Sequence, residues 1–180
     1  MSDDAPFPLS RPQQVDALPA KGIEVAIEAT AEERAALAEV LDILGIDALT
    51  ARFEVRPWRR DGVKVTGVVE ADVHQACVVT LEPVAQHVRE EVDVAFHPDA
   101  QPIEPDAEIE IDPDAPDQPE PLEHGRIDLG AIAAEHMALG LDPYPRAPGA
   151  VFEDIIEDDG LDDAPGSPFA GLSRLKGGGE

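Results

Sequence analysis

Cations and aromatic rings are what this chain has least of. Thirteen Lys and Arg stand against 39 Asp and Glu in 180 residues, a formal charge of −26. A deficit of that size opposes nonspecific binding to a polyanion. One cysteine, Cys77, excludes an internal disulfide and fits a reducing compartment. No run approaches the ~18 apolar residues of a membrane span, and Met1-Ser2-Asp3-Asp4 has neither the basic nor the apolar region of a secretory signal. Hydrophobic residues reach 43%, enough for a core, yet aromatics are only 4% and prolines number 18. That mixture predicts an ordered core flanked by acidic, Pro-rich segments in a soluble, cytoplasmic protein.

The charge is unevenly spread. Residues 97–124 hold 10 acids, seven prolines and no Lys or Arg. Such a stretch buries too little apolar surface to offset its ordering entropy, so a flexible acidic linker is expected over 98–124. Within it, residues 108–111 alternate Glu and Ile and could dock as an edge strand. A second acidic run lies in 153–163, and residues 151–180 are expected to form a mostly disordered acidic tail. These runs serve solubility, or they dock a basic partner. Five of the 13 basic residues fall within 52–64, where Glu54 and Asp61 are the only acids, giving that window net +3.

Residues 22–29 alternate apolar and acidic as a half-buried strand does. Thr30 and Glu33 form a capping box, and Leu37, Val40, Leu41 and Leu44 follow with helical spacing. Gly45 is a suitable stop, so the predicted helix has about four turns. A hairpin comes next: Leu49, Ala51, Phe53 and Val55 alternate with polar residues, as do Val63, Val65, Gly67, Val69 and Val73. A three-residue loop, Arg60-Asp61-Gly62, pairs Phe53 with Val69, Arg52 with Glu70, and Trp58 with Lys64. It keeps the two faces unmixed, whereas a two-residue loop does not. Gly62 is then expected at positive φ. Residues 86–97 form a further strand, with Val88, Val92, Val94 and Phe96 on one face and Arg89, Glu91 and Asp93 on the other. Asp128 caps a helix to about Leu141, stopped by Pro143-Tyr144-Pro145. The predicted class is α+β: a mainly antiparallel sheet, two packed helices, and the acidic Pro-rich linker and tail, with residues 1–150 as one domain.

Chemistry finds little support. Cys77 has no basic neighbour to depress its thiol, and no serine sits in a nucleophile elbow. His74 and Cys77 have the spacing of a ligand pair, but a structural zinc site needs more ligands, and Glu135-His136 lacks the second His of a zinc-protease helix. The terminal glycines have no strand before them to make a phosphate loop. No catalytic residue, metal or cofactor is expected. A nucleic-acid surface would rest on Arg52, Arg56, Trp58 and Lys64, with the ring stacking a base and the cations meeting phosphates. The competing reading is a solvated face on which Arg52 pairs with Glu70 and Lys64 lies over Trp58.

Cys77-Val78-Val79-Thr80-Leu81-Glu82-Pro83-Val84, Ile127-Asp128-Leu129-Gly130 and the run from Glu135 through Leu141-Asp142-Pro143-Tyr144-Pro145-Arg146 carry a resemblance. So do the opening Leu9-Ser10-Arg11-Pro12 and the closing Ser167-Pro168-Phe169-Ala170-Gly171-Leu172. Together they resemble the YceD family of large ribosomal RNA subunit accumulation proteins, in its alphaproteobacterial form. The resemblance implies a non-enzymatic role in the synthesis, processing or stability of 23S rRNA and in large-subunit assembly. Many members carry Cys-x-x-Cys before Leu-Glu-Pro; here Thr80 holds the second position, which removes a two-thiol role.

Two functions follow as expectations. The first is a ribosome-assembly factor that binds a basic large-subunit ribosomal protein, the 23S rRNA precursor, or both. The second is an acidic interaction module with a partner outside translation. Neither calls for a membrane or a small-molecule substrate. Pro143, Tyr144, Pro145 and Arg146 are a further expected contact site, since a Pro-flanked ring loses little freedom on binding and Arg suits bidentate contacts.

Overall fold

A computed structural model of the protein describes residues 7–100 and 118–151. The expected edge strand at 108–111, the centre of the acidic linker and the tail from 152 onward lie outside the described residues. What is described up to residue 150 belongs to one unit, Met1–Ala150.

Four strands make the frame: β2 (Ile23–Glu28), β3 (Gly45–Trp58), β4 (Gly62–Ala76) and β5 (Pro83–His97). They pair antiparallel in chain order, and the two-residue β6 (Glu120–Pro121) joins β5 in parallel. A separate ribbon pairs β1 (Pro12–Gln14) with β7 (Arg126–Asp128). Helices α1 (Ala31–Val40) and α2 (Leu129–Leu139) complete the α+β architecture. Alternation decides the two faces of the sheet. Leu49, Ala51, Phe53 and Val55 of β3, Val63 through Val73 of β4 at every second position save Gly67, and Val88, Val92 and Phe96 of β5 are buried. Leu37 of α1 and Leu129, Ile132 and Met137 of α2 are buried in the same core. Among the described residues no helix is long and apolar enough to cross a membrane.

The capping box at α1 is present: Thr30 Oγ1 accepts from the Glu33 amide at 3.2 Å, and Glu33 Oε2 accepts from the Thr30 amide at 2.8 Å. The helix stops about a turn before the expected Gly45, however. Asp42 turns left-handed at φ 52. The Ile43 amide then donates to Ala38 O at 3.0 Å and the Asp42 amide to Glu39 O at 3.3 Å. Those two bonds close a Schellman motif, with Asp42 doing what glycine usually does. Val40 and Leu44, expected on the apolar side, stand exposed in consequence.

The hairpin register also differs from expectation. Phe53 pairs with Gly67, Arg52 with Val68, Arg56 with Lys64, and Trp58 with Gly62. The shift from the expected pairing is two residues, so every side chain keeps its face, and a period-two pattern cannot distinguish the two registers. Packing does. A Cβ on Gly67 would lie 2.8 Å from Phe53 Cδ1, so the ring occupies the space the glycine leaves. The loop is Arg59-Arg60-Asp61, and its left-handed residue is Arg59 at φ 52. Gly62 is not among the glycines at positive φ. It is required for close approach instead, because a Cβ there would meet Phe96 O at 2.5 Å. Farther along, a register shift between Ile46 and Ala48 bulges the strand at Asp47.

Both ends of the linker expected over 98–124 are held. The Ala100 amide and the Leu122 amide each donate to His97 O at 3.1 Å, and Glu120 pairs with Phe96 in β6. Leu122 packs on the core, which gives this acidic stretch an apolar anchor.

Candidate functional site

The sheet's outer face collects the cations expected to meet RNA. Arg52, Arg56 and Trp58 follow one another on β3, and Lys64 stands opposite Arg56 on β4. Carboxylates reach most of them first. Lys64 Nζ lies 2.8 Å from Asp93 of β5, and Arg56 lies 2.5 Å from Glu54 on its own strand. Glu70, the expected partner of Arg52, sits beside Arg89 and pairs with it. His87 meets Asp72 at 2.7 Å on the same face. Among the described residues Arg52 takes part in no ion pair. Trp58 is also engaged, though not by Lys64: the Arg59 guanidinium stacks 3.9 Å from its centroid, and His97 meets it edge-on. Neither expected pairing of the solvated face, Arg52 with Glu70 or Lys64 over Trp58, forms; other partners take their places. A depression of about 590 Å³ beside Arg52 has Glu24 and Glu54 in its lining. These two carboxylates face each other across β2 and β3, and Glu54 is the one already paired with Arg56.

Pro143-Tyr144-Pro145-Arg146 lies elsewhere. The segment after α2 is laced to the turn between β4 and β5. Pro145 O accepts from the Val78 amide at 2.9 Å, and Asp142 O accepts from Gln75 Nε2 at 3.0 Å. Gln86 grips the same segment, donating to Gly140 O at 2.8 Å and accepting from the Asp142 amide at 3.1 Å. Gln75 Oε1 is buried with no donor, an open cost in this joint. Pro145 is buried, whereas Tyr144 is 72% exposed. The ring does not pack back on the sheet. Between the joint and the Trp58–Gly62 pair runs β4, with 15 residues, or roughly 45 Å. The structure thus keeps the two expected contact sets apart: Arg56, Trp58 and Lys64 stand at the start of β4 and the joint at its end, with Arg52 opposite Val68 between them.

Cys77 departs from expectation as well. Its Sγ is buried and accepts from the amides of Ala147 at 3.3 Å and of Val79 and Thr80 at 3.4 Å. The Ala147 amide first, then the Thr80 side chain and amide, bring the thiol down to about 6 against the opposing effect of burial. No cation is needed. The donor that matters most is 70 residues away in sequence, so local sequence held no sign of it. Thr80, three residues after Cys77, contributes one of these amides to the sulfur. His74 turns instead to Asp47, at 2.7 Å. Among the described residues no three His, Cys, Asp or Glu side chains are grouped to hold a metal ion.

Fold and surfaces together define a class: an α+β protein on one long-stranded antiparallel sheet, with a charge-paired open face and a separate hydrogen-bonded joint at the sheet's end. Residues 65–176 match the family model described as large ribosomal RNA subunit accumulation protein YceD. That is well over half of the chain, and the protein belongs to the YceD family. The match takes in the Cys77 turn, α2 and the Pro143–Arg146 segment, and it begins after the opening Leu9-Ser10-Arg11-Pro12. Membership ties the chain to accumulation of the large-subunit ribosomal RNA. No curated protein and no solved structure matches it.

Proposed function

We propose that the protein supports 23S rRNA accumulation and large-subunit assembly in the cytoplasm as a non-enzymatic binding factor. On this reading it holds a basic large-subunit ribosomal protein and presents it to the precursor RNA. One observation carries the choice of a protein as first partner. Of the four outer-face cations Arg52, Arg56, Lys64 and Arg89, three are paired with carboxylates, in a chain of charge −26. Exposed pairs of this kind add little stability, but they spend the charges that phosphate would need. At physiological salt the Debye length is about 8 Å, so local patches decide what approaches. Carboxylates crowd this surface and the 98–124 segment alike, and they attract a basic protein and speed its encounter.

Depletion of the protein, followed by sucrose-gradient profiles, tests the assembly role. A fall in large relative to small subunits is expected; an unchanged ratio returns the protein to an acidic module working outside translation. Removing residues 101–117, which spares β6, tests the order of partners. Affinity for purified basic large-subunit proteins should fall while affinity for free 23S rRNA holds or rises. Loss of RNA affinity alone refutes the protein-first order.

A further inference from the structure

Five of the six exposed large hydrophobic residues in the described part of Met1–Ala150 stand at one end of the sheet. They are Val40, Leu44, Val78, Leu81 and Tyr144; the sixth, Leu139, precedes Gly140, which lies against Val88 and Glu90 of β5. At this end β3 starts, β4 stops and β5 starts; α1 finishes shortly before β3, and the segment after α2 is tied to β5 through Gln86. The Leu44 amide donates to His74 O near the end of β4. Val78 and Leu81 belong to the β4–β5 turn, and the Val78–Pro145 hydrogen bond brings Tyr144 alongside. Leu81 is held out at 76% exposure by a left-handed backbone, φ 61. A bulky residue in that conformation is unusual. Apolar side chains concentrated in this way mark an interaction surface more often than a chance exposure.

Their surroundings indicate what covers them. Glu39, Asp42, Asp47, Glu82 and Asp142 are exposed at the same end, with Arg146 as the cation of the joint. A second copy would bring like charges together, and RNA would meet the same repulsion. We infer that this end of the sheet docks a Lys- and Arg-rich protein segment with apolar side chains between its cations. Leu81, Val78 and Tyr144 receive the apolar groups, and the surrounding carboxylates receive the cations, in the usual arrangement of apolar centre and polar rim. The inference rests on the basic-protein reading above and gives it a location, away from the outer face of the sheet.

The test uses the full chain and two short peptides of equal charge. One presents lysines on one face and leucines on the other; its counterpart has serine in place of every leucine. Calorimetry should show the leucine peptide binding about tenfold more tightly than the serine peptide. The pair Leu81→Asn and Tyr144→Ala should remove that advantage, with the melting temperature and the serine-peptide affinity unchanged. Asparagine suits the left-handed backbone and adds no charge. Equal binding of the two peptides, or an undiminished leucine advantage in the variant, overturns the inference. So does a 23S rRNA fragment whose binding, and not that of the leucine peptide, is lost in the variant. These results are independent of the depletion profiles, so docking and assembly role can fail separately.

Discussion

Ser10 and Asp128 are separated by 118 residues of chain, yet the serine hydroxyl donates to Asp128 Oδ2 at 2.5 Å. The other carboxylate oxygen accepts from the Arg11 amide at 2.7 Å, the Gly130 amide at 2.9 Å and the Ala131 amide at 3.1 Å. One side chain therefore caps α2 and fastens the opening segment to it. Gly130 belongs to the same junction, because a Cβ there would come within 2.8 Å of both the Arg11 nitrogen and Leu9 O. Losing an ordinary N-cap costs about 1 kcal/mol. Asp128→Ala also leaves Ser10 and the Arg11 amide without an acceptor, so about 2–3 kcal/mol is expected in urea unfolding. Adding Ser10→Ala to that variant should cost less than Ser10→Ala alone. Additive losses would mean that the two residues are not coupled.

Arg11 extends the same tie to α1. Its guanidinium grips both oxygens of Glu33, at 2.7 and 3.0 Å. The Arg11 hydrogen bond, opposed by burial and helped by the Thr30 amide, lowers the Glu33 carboxyl from 4.5 to about 2. The folded state thus holds this carboxylate ionised where the unfolded chain protonates it. The stability it contributes is complete above the ordinary value and is lost as pH falls from about 4.5 to about 2. Urea midpoints measured across that window should fall more steeply for the parent protein than for Glu33→Gln. Parallel curves would remove the pair from the acid response.

Two glycines make opposite predictions. A Cβ on Gly67 would lie 2.1 Å from Arg52 O, whereas a Cβ on Gly45 meets nothing within 4 Å. Gly67→Ala should force β3 and β4 apart or displace Phe53, at about 1–3 kcal/mol. Gly45→Ala should be neutral or gain up to about 1 kcal/mol by restricting the unfolded chain. Thermal unfolding of both proteins checks the contrast, and similar midpoints would refute it.

Where the signal is local, the sequence is legible. Thr30 and Glu33, Asp128, and the alternation in β2 and β5 each carry their instruction within a few residues. The misreadings arise from contacts distant along the chain, from one unusual cap and from strands too short to read. The hairpin register depends on Phe53 filling the gap over Gly67, and a shift by two leaves the alternation unchanged. α1 is closed by Asp42, a residue tolerated in the left-handed region but less often found there than glycine. β1, β6 and β7, of two or three residues each, are too short to show any period. Among the candidate site residues, the four hairpin positions were legible as a face but their charge state was not. Asp93 and Glu70 neutralise Lys64 and Arg89 from neighbouring strands, and Arg59 covers Trp58. The Cys77 environment was hidden for the same reason, its principal donor coming from Ala147.

The pairing of Lys64 with Asp93 supplies the most direct check on the outer face. If Asp93 holds the Lys64 ammonium, phosphate must compete for it, and the cation contributes little to RNA binding. Asp93→Asn keeps the shape and removes the competing charge. Affinity for a 23S rRNA fragment at low salt should then rise about threefold, and the slope of log K against log salt should steepen by about one phosphate contact. Lys64→Ala in the parent protein should change RNA affinity by less than about twofold, because that ammonium is already engaged. Stability should barely move in either variant, since an exposed pair is worth about 0–1 kcal/mol. A marked loss of RNA affinity in Lys64→Ala, with no gain in Asp93→Asn, would show Lys64 already committed to phosphate. The protein-first order would then have to yield to direct RNA contact at the hairpin.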